Sequence, residues 1–195
     1  MGDLNQLIFA KEFLKKNYKS ILEIGSKDHG NTIDFRKFFK NTDTYIGADM
    51  EDGKNVDVVI DFTKTNQPLK ENFFDLIICC SVLEHVEAPW LFSENITKLS
   101  IKGGSLFIAV PFVWRFHGYP NDYFRYTHNG IKKLFKGYEW DRSFVSTYQA
   151  RNIIEINNNF QEICNTLSIY KYNEKKEQTG KYLSYMQILM IGKKL

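Results

Sequence analysis

Several things are scarce in this 195-residue chain, and each scarcity excludes a class of protein. Three cysteines, Cys79, Cys80 and Cys164, are too few for a disulfide framework. The Cys79-Cys80 pair sits inside an apolar run where small hydrophobes pack, which suits a reducing compartment. The longest apolar stretches, such as Ser105 to Trp114, have about half of the roughly 20 residues that a spanning helix needs. With Asp3 and Asn5 before the first apolar residues, the N-terminus lacks signal-peptide organisation, so a cytoplasmic protein that does not engage a membrane is expected. The net charge is only +3, from 26 Lys+Arg against 23 Asp+Glu, too small an excess to argue for nucleic acid as a partner. There is no internal repeat, low-complexity segment or long linker.

What the chain does contain is 43% hydrophobic and 15% aromatic residues with an ordinary 25% charged, enough for a sizeable core and against disorder, collagen or coiled coil. Residues 1–195 are expected to form a single domain. Apolar spacing of three and four predicts an amphipathic helix from Leu4 to Lys16. Short strands are predicted at Ser20–Gly25, Thr44–Ala48, Val56–Ile60, Phe74–Cys80 and Ser105–Val110. Helices are predicted at Asn31–Phe39, Pro89–Leu99, Asn129–Phe135 and, less clearly patterned, Ile153–Leu167. Tyr138–Ser146 and Tyr182–Ile191 read as two last strands, with the polar Tyr172–Lys181 as a loop before the second. The fold expected is α/β: a doubly wound, mostly parallel seven-stranded sheet, Rossmann-like, with helices on both faces and a C-terminal antiparallel hairpin.

Open sheets of this kind bind ligands beyond the carboxyl ends of their strands. There the sequence places Gly25-Ser26-Lys27-Asp28, then Asp49, Asp61 and Cys80-Ser81. A dinucleotide fingerprint requires a second glycine where Lys27 stands, and a phosphate loop requires Lys and Ser or Thr where Asn31 and Thr32 follow Gly30. A ligand with ribose and adenine but no phosphate still fits: Asp49 would accept both ribose hydroxyls and Asp61 the exocyclic amine of adenine. Alone, each aspartate reads as readily as a turn cap. Cys79 and Cys80 read as core packing. Glu23 is harder to dismiss, because an unpaired buried carboxylate is costly.

Taken in order, Glu23-Ile24-Gly25-Ser26, Gly47-Ala48-Asp49-Met50, Val56 to Asp61, Phe74 to Cys80, Ser81-Val82-Leu83-Glu84-His85-Val86 and Lys102-Gly103-Gly104 resemble the class I S-adenosylmethionine-dependent methyltransferases over roughly residues 20–135. The resemblance implies that Gly25 and Ser26 border the methionine part of the cofactor and that Asp49 holds its ribose; Glu23 is expected among the cofactor-binding residues. It places Asp61 at adenine with Met50 and Phe62 as apolar neighbours, and Cys80-Ser81 beside the methyl group. Lys27 departs from the pattern, since many members carry a second glycine there.

Seven of the seventeen residues from Pro111 to Thr127 are Phe, Trp or Tyr, mixed with one His, one Asp and two Arg. This composition suits a small-molecule pocket at the cofactor's edge of the sheet; the competing reading is a packed lid with Arg125 paired to Asp122. Its His117, Pro120, Asp122, Tyr123 and Arg125-Tyr126-Thr127 resemble a subgroup of methyltransferases that modify glycans and natural products. The expected acceptor is a small molecule, a sugar or an anionic metabolite, bound by Trp114, Arg115, Tyr119, Asp122, Tyr123 and Arg125. His117, with His85 second, is the expected general base, imidazole titrating near neutral pH; His85 reads equally as a structural hydrogen bond. No metal is expected, and a homodimer is one arrangement that would complete the pocket. The competing functions are a cofactor-binding module without catalysis, a nicotinamide oxidoreductase, which the missing glycine disfavours, and a nucleic-acid methyltransferase, which lacks a basic stripe.

Overall fold

A seven-residue run that is apolar almost without alternation must be covered on both faces. Phe74–Cys80 is placed accordingly, as central strand β4 between β1 (Ser20–Ile24) and β5 (Ser100–Val113). The computed structural model describes residues 4–14, 17–30, 33–64, 68–118, 120–147, 149–158, 160–167 and 185–195. The remaining strands are β2 (Thr44–Asp49), β3 (Val58–Val59), β6 (Tyr138–Thr147), β7 (Ile153–Glu155) and β8 (Met186–Lys194). They form one sheet in the order β3-β2-β1-β4-β5-β8-β6-β7. β3 through β5 in that order pair in parallel, while β8, β6 and β7 continue the sheet antiparallel.

Both faces are covered. On one, Phe9, Ala10 and Leu14, from α1 (Leu4–Phe13) and just beyond it, join Phe35 and Phe39 over Ile21, Leu76, Ile78 and Phe107. On the other, α2 (Pro89–Leu99), α3 (His128–Leu134) and α4 (Phe160–Leu167) contribute Phe92, Ile96, Leu99, Ile131 and Ile163 over Leu22, Ile77, Ile108 and Ile188. This is the Rossmann-like architecture read from the sequence, with differences that have local causes.

The sheet has eight strands, not seven, because the ambiguous segment at Ile153 divides: Ile153–Glu155 pairs with β6 and the helix begins only at Phe160. A bidentate contact from Arg142 to Glu155 holds this edge. The aromatic spacing read as a helix at Asn31–Phe39 gives one 3-10 turn, Phe35–Lys37, within the part described; Phe35 and Phe39 are buried all the same. No helix connects β2 to β3 or β3 to β4 among the described residues. β5 runs through Pro111, whose missing N–H lies past the last β4 partner, Ala109 opposite Cys80. Tyr172–Lys181 and the start of the last predicted strand, 182–184, lie outside the described residues. No helix among the described residues is long and apolar enough to cross a membrane.

Glu23 is buried in β1 and accepts the Tyr45 hydroxyl at 2.6 Å. Burial pushes its carboxyl up to about 7, in spite of the hydrogen bond from Tyr45. An acid raised by folding binds more protons folded than unfolded between its ordinary 4.5 and about 7. Stability therefore falls as pH rises through that window, by on the order of 3 kcal/mol, and levels off above it. Glu23→Gln is expected to remove this share of the fall between about pH 5 and about pH 8, read as urea midpoints, and to leave that of Glu84, whose buried carboxyl is raised to about 7 as well. An unchanged difference between the two midpoints would contradict the assignment.

Candidate active site

The carboxyl ends of β1, β2, β4 and β5 lie along one edge of the sheet. β1 ends at Gly25, whose φ is +76° and where a Cβ would stand 2.3 Å from Val82 Cγ2, so only glycine serves. The N–H groups of Gly25 and Ser26 donate to the Ala48 carbonyl at 2.8 and 3.2 Å, which ties this turn to β2. Ser26 Oγ is buried and has no hydrogen-bond partner among the described residues.

Asp49 ends β2, and its two carboxylate oxygens accept the backbone N–H of Lys27 at 3.2 Å and of Glu51 at 3.1 Å. Lys27, the departure from the family pattern, carries its bulk outward. Its stem lies over Gly53, and its ammonium pairs with Glu51 at 2.7 Å. Met50 follows Asp49 with 60% of its surface exposed. Asp61, after β3, uses one oxygen to accept both the N–H and the hydroxyl of Thr63, and the other faces Lys64 at 3.5 Å. Burial works against its charge, but these hydrogen bonds and Lys64 outweigh it and hold the carboxyl below the usual range. Phe62 packs edge-on against Phe92 in the core, while Met50 and Val59 beside Asp49 are exposed.

At the end of β4, Ser81 takes a left-handed φ of 55° and donates its N–H to the Ala109 carbonyl at 2.8 Å. Its hydroxyl accepts from Gln6 Nε2 at 3.0 Å, and the same nitrogen donates to Gln187 Oε1 at 2.9 Å. Both glutamines are buried. The sequence signal for Gln6 was its position three and four residues before Phe9 and Ala10, which places it on the covered face of α1. Burial raises the Cys79 and Cys80 thiols well above their ordinary value, in keeping with packing and not nucleophilic chemistry.

The densest chemistry follows. A 3-10 turn, Leu83–His85, buries Glu84, whose carbonyl accepts the N–H of Tyr123 at 2.8 Å and of Phe124 at 3.3 Å. These bonds dock the aromatic segment after β5 onto the end of β4. His117 is thereby brought beside His85, ring centroids 4.9 Å apart. Their Nε2 atoms stand 3.9 and 3.8 Å from Glu84 Oε1. The Glu84 side chain is 1% exposed, and burial pushes its carboxyl up to about 7. Burial also lowers the His85 imidazole. In the sequence Glu84 stands only within the Ser81–Val86 stretch, and nothing in the spacing shows that His117 returns to it.

Asp122 and Arg125 hold the loop itself. The Asp122 carboxylate pairs with the Arg125 guanidinium through both oxygens and accepts the His117 N–H at 2.8 Å. The Arg125 guanidinium, more than any other neighbour, holds that carboxyl well below the usual range. Arg125 also donates to the carbonyls of Trp114, Arg115 and Phe124. Its donors are thus committed to the loop. Arg115 is exposed, its guanidinium 5.5 Å from the centre of the Trp114 ring. Trp114 packs edge-on against Tyr185, and Tyr123 is 41% exposed with its hydroxyl accepting from Asn121. Tyr119 lies outside the described residues.

A family model described as a methyltransferase domain matches residues 3–161. Among solved structures, the chain is similar to a SAM-dependent methyltransferase from Archaeoglobus fulgidus, with a TM-score of 0.62 and 16% identity over 97% of this chain and 92% of that one. It is also similar to the Burkholderia thailandensis 1,6-didemethyltoxoflavin-N1-methyltransferase, which was crystallised with 1,6-didemethyltoxoflavin and S-adenosylhomocysteine. There the TM-score is 0.60 and the identity 14%, over 97% of this chain and 76% of that one. A SAM-dependent methyltransferase from Methanosarcina mazei gives 0.59 and 12% over 100% and 99%. At these identities the likeness is one of fold. No match is found among curated proteins.

Gly25→Ala forces a clash with Val82 on a left-handed backbone. A loss of about 1–3 kcal/mol in urea unfolding is expected. Adding Val82→Ala should return only part of it, since φ stays wrong; full stability in the single variant would refute the close approach.

Proposed function

The chain belongs to the methyltransferase domain family, and on that premise we propose that it transfers a methyl group from S-adenosylmethionine to an oxygen or nitrogen of a small-molecule acceptor, a sugar or glycan precursor being the class favoured. The whole of residues 1–195 is read as one such domain. The observation that carries this reading is the meeting of three features at one sheet edge: the Gly25 turn, the Asp49 carboxylate, and the Glu84–His85–His117 cluster.

The residues present suit this cofactor. A ligand without a pyrophosphate needs no second glycine, so Lys27 is no obstacle. Each oxygen of Asp49 accepts one backbone N–H and keeps a further lone pair for a ribose hydroxyl. Met50 offers exposed apolar surface for adenine next to it, with Asp61 nearby at the end of β3. Gly25 and the unpartnered Ser26 hydroxyl would border the methionine part, as would Glu23, and Cys80-Ser81 the methyl group. When bound, S-adenosylmethionine supplies an electrophilic methyl carbon on a sulfonium that leaves readily.

Alignment of the acceptor is therefore the main work of the protein. The segment after β5 supplies aromatic surface from Trp114 and Tyr123, and Arg115 is the exposed arginine available to an anionic group on the acceptor. The proton of a hydroxyl acceptor leaves toward His117, or toward His85 beside it, with Glu84 behind both.

Asp49→Ala is expected to weaken S-adenosylhomocysteine binding by about 100-fold or more, the worth of two hydrogen bonds to a charged group. Calorimetry measures it, and an unchanged isotherm would remove Asp49 from the site. His117→Ala is expected to lower turnover by about 10²–10⁴-fold while leaving that isotherm as it was. Equal loss of binding and turnover would overturn the division between cofactor and acceptor sides.

A further inference from the structure

The three side chains that meet at the ends of β4 and β5 point their acceptor atoms at one another. His85 Nδ1 lies 2.5 Å from the carbonyl oxygen of Asn121, an atom that can only accept. His117 Nδ1 faces the Arg115 carbonyl and an Asp122 carboxylate oxygen, each at 3.2 Å, and these too can only accept. Each neutral ring therefore carries its hydrogen on Nδ1 and turns a bare Nε2 lone pair inward. Glu84 Oε1 faces both, at 3.8 and 3.9 Å, and Glu84 Oε2 is buried with no hydrogen-bond partner among the described residues. One ligand atom from each of the three lies within 4.8 Å of the other two. Two imidazole lone pairs and a carboxylate thus converge on one place, an arrangement whose sign suits a cation.

We propose that Glu84, His85 and His117 bind one divalent transition-metal ion of the zinc type, through Glu84 Oε1 and the two Nε2 atoms. Metal–ligand bonds of about 2.0–2.2 Å put tetrahedral ligands roughly 3.3 Å apart. The two Glu84–histidine separations therefore close by about half an ångström, and the two imidazole nitrogens, within 4.8 Å of each other, by up to about 1.5 Å. The rings are already aimed. A histidine ligand ordinarily gives its other N–H to a carboxylate or a backbone carbonyl, and both partners are in place here. Two imidazoles and one carboxylate select zinc-like ions over magnesium or calcium, which take oxygen. Three protein ligands leave a coordination position open, and the ligand class that fits it is an oxygen of the acceptor, whose proton a cation makes easier to lose to water. This last point alone rests on the methyl-transfer reading. The histidines serve as the bases of the proposed reaction in the ion-free chain; with a cation bound they act as ligands and the acceptor's proton passes to water, and this site departs from the expectation of no metal.

The test uses the full chain after treatment with a chelator. Titration with CoCl2, followed by visible absorption, and competition with ZnCl2 are expected to give one ion per chain, with no binding of MgCl2 at the same concentrations. His117→Ala and His85→Ala are each expected to weaken binding by more than about 100-fold. His128→Ala, a histidine outside the cluster, is expected to leave it unchanged. Glu84→Gln is a further variant, interpreted only if its circular dichroism melt is intact. Less than one ion bound, undiminished binding in His117→Ala, or equal binding of magnesium would each overturn the proposal. S-adenosylhomocysteine calorimetry on the same metal-free protein separates the two readings: ion binding without cofactor binding leaves this site standing and removes the methyl-transfer assignment, and the reverse removes the site alone.

Discussion

Everything at the working edge of this protein depends on Glu84 being fixed at the end of β4. Its backbone carbonyl receives two N–H groups from Tyr123 and Phe124, which pins the chain that follows β5 across the mouth of the sheet. Its carboxyl group lies beneath that crossing, within 4 Å of two imidazole nitrogens. One residue thus acts twice: its main chain anchors the loop, and its side chain faces the two imidazoles. A buried carboxyl without a full set of partners is expensive, and folds keep such groups where chemistry requires them.

The loop that Glu84 receives is rigid for a separate reason. Asp122 and Arg125 form a half-buried, two-pronged ion pair, and the remaining guanidinium N–H groups are taken up by carbonyls on the opposite arm of the loop. The Asp122 carboxylate also orients His117 through its backbone N–H. A planar fork of five donors does this better than a lysine would, because it bridges two strands of loop at once.

The opposite side of the edge is simpler. Gly25 brings the end of β1 against Val82, and the Ala48 carbonyl gathers the N–H groups of the turn. The helix α1 reaches the same region from the other face through Gln6, Ser81 and Gln187. That network couples the start of the chain to its last strand at the point where β4 ends. Parallel strands with their carboxyl ends aligned make this convergence automatic, because each strand delivers its following residue to the same line.

Local chemistry in the sequence was enough to establish the parallel sheet, its covered central strand, the glycine turn and the acidic residue after β2, because strand periodicity and turn residues act over a few neighbours. It was also enough to mark the segment from Pro111 to Thr127 as unusual. The eighth strand, the 3-10 turn in place of a helix at Phe35, and the core position of Phe62 were settled by packing between distant elements, which overrides short-range preference. So were the consumption of Arg125 within its own loop and the meeting of Glu84, His85 and His117. These depend on how a long crossover folds back over the sheet, and the distances that decide them exist only once the chain has closed.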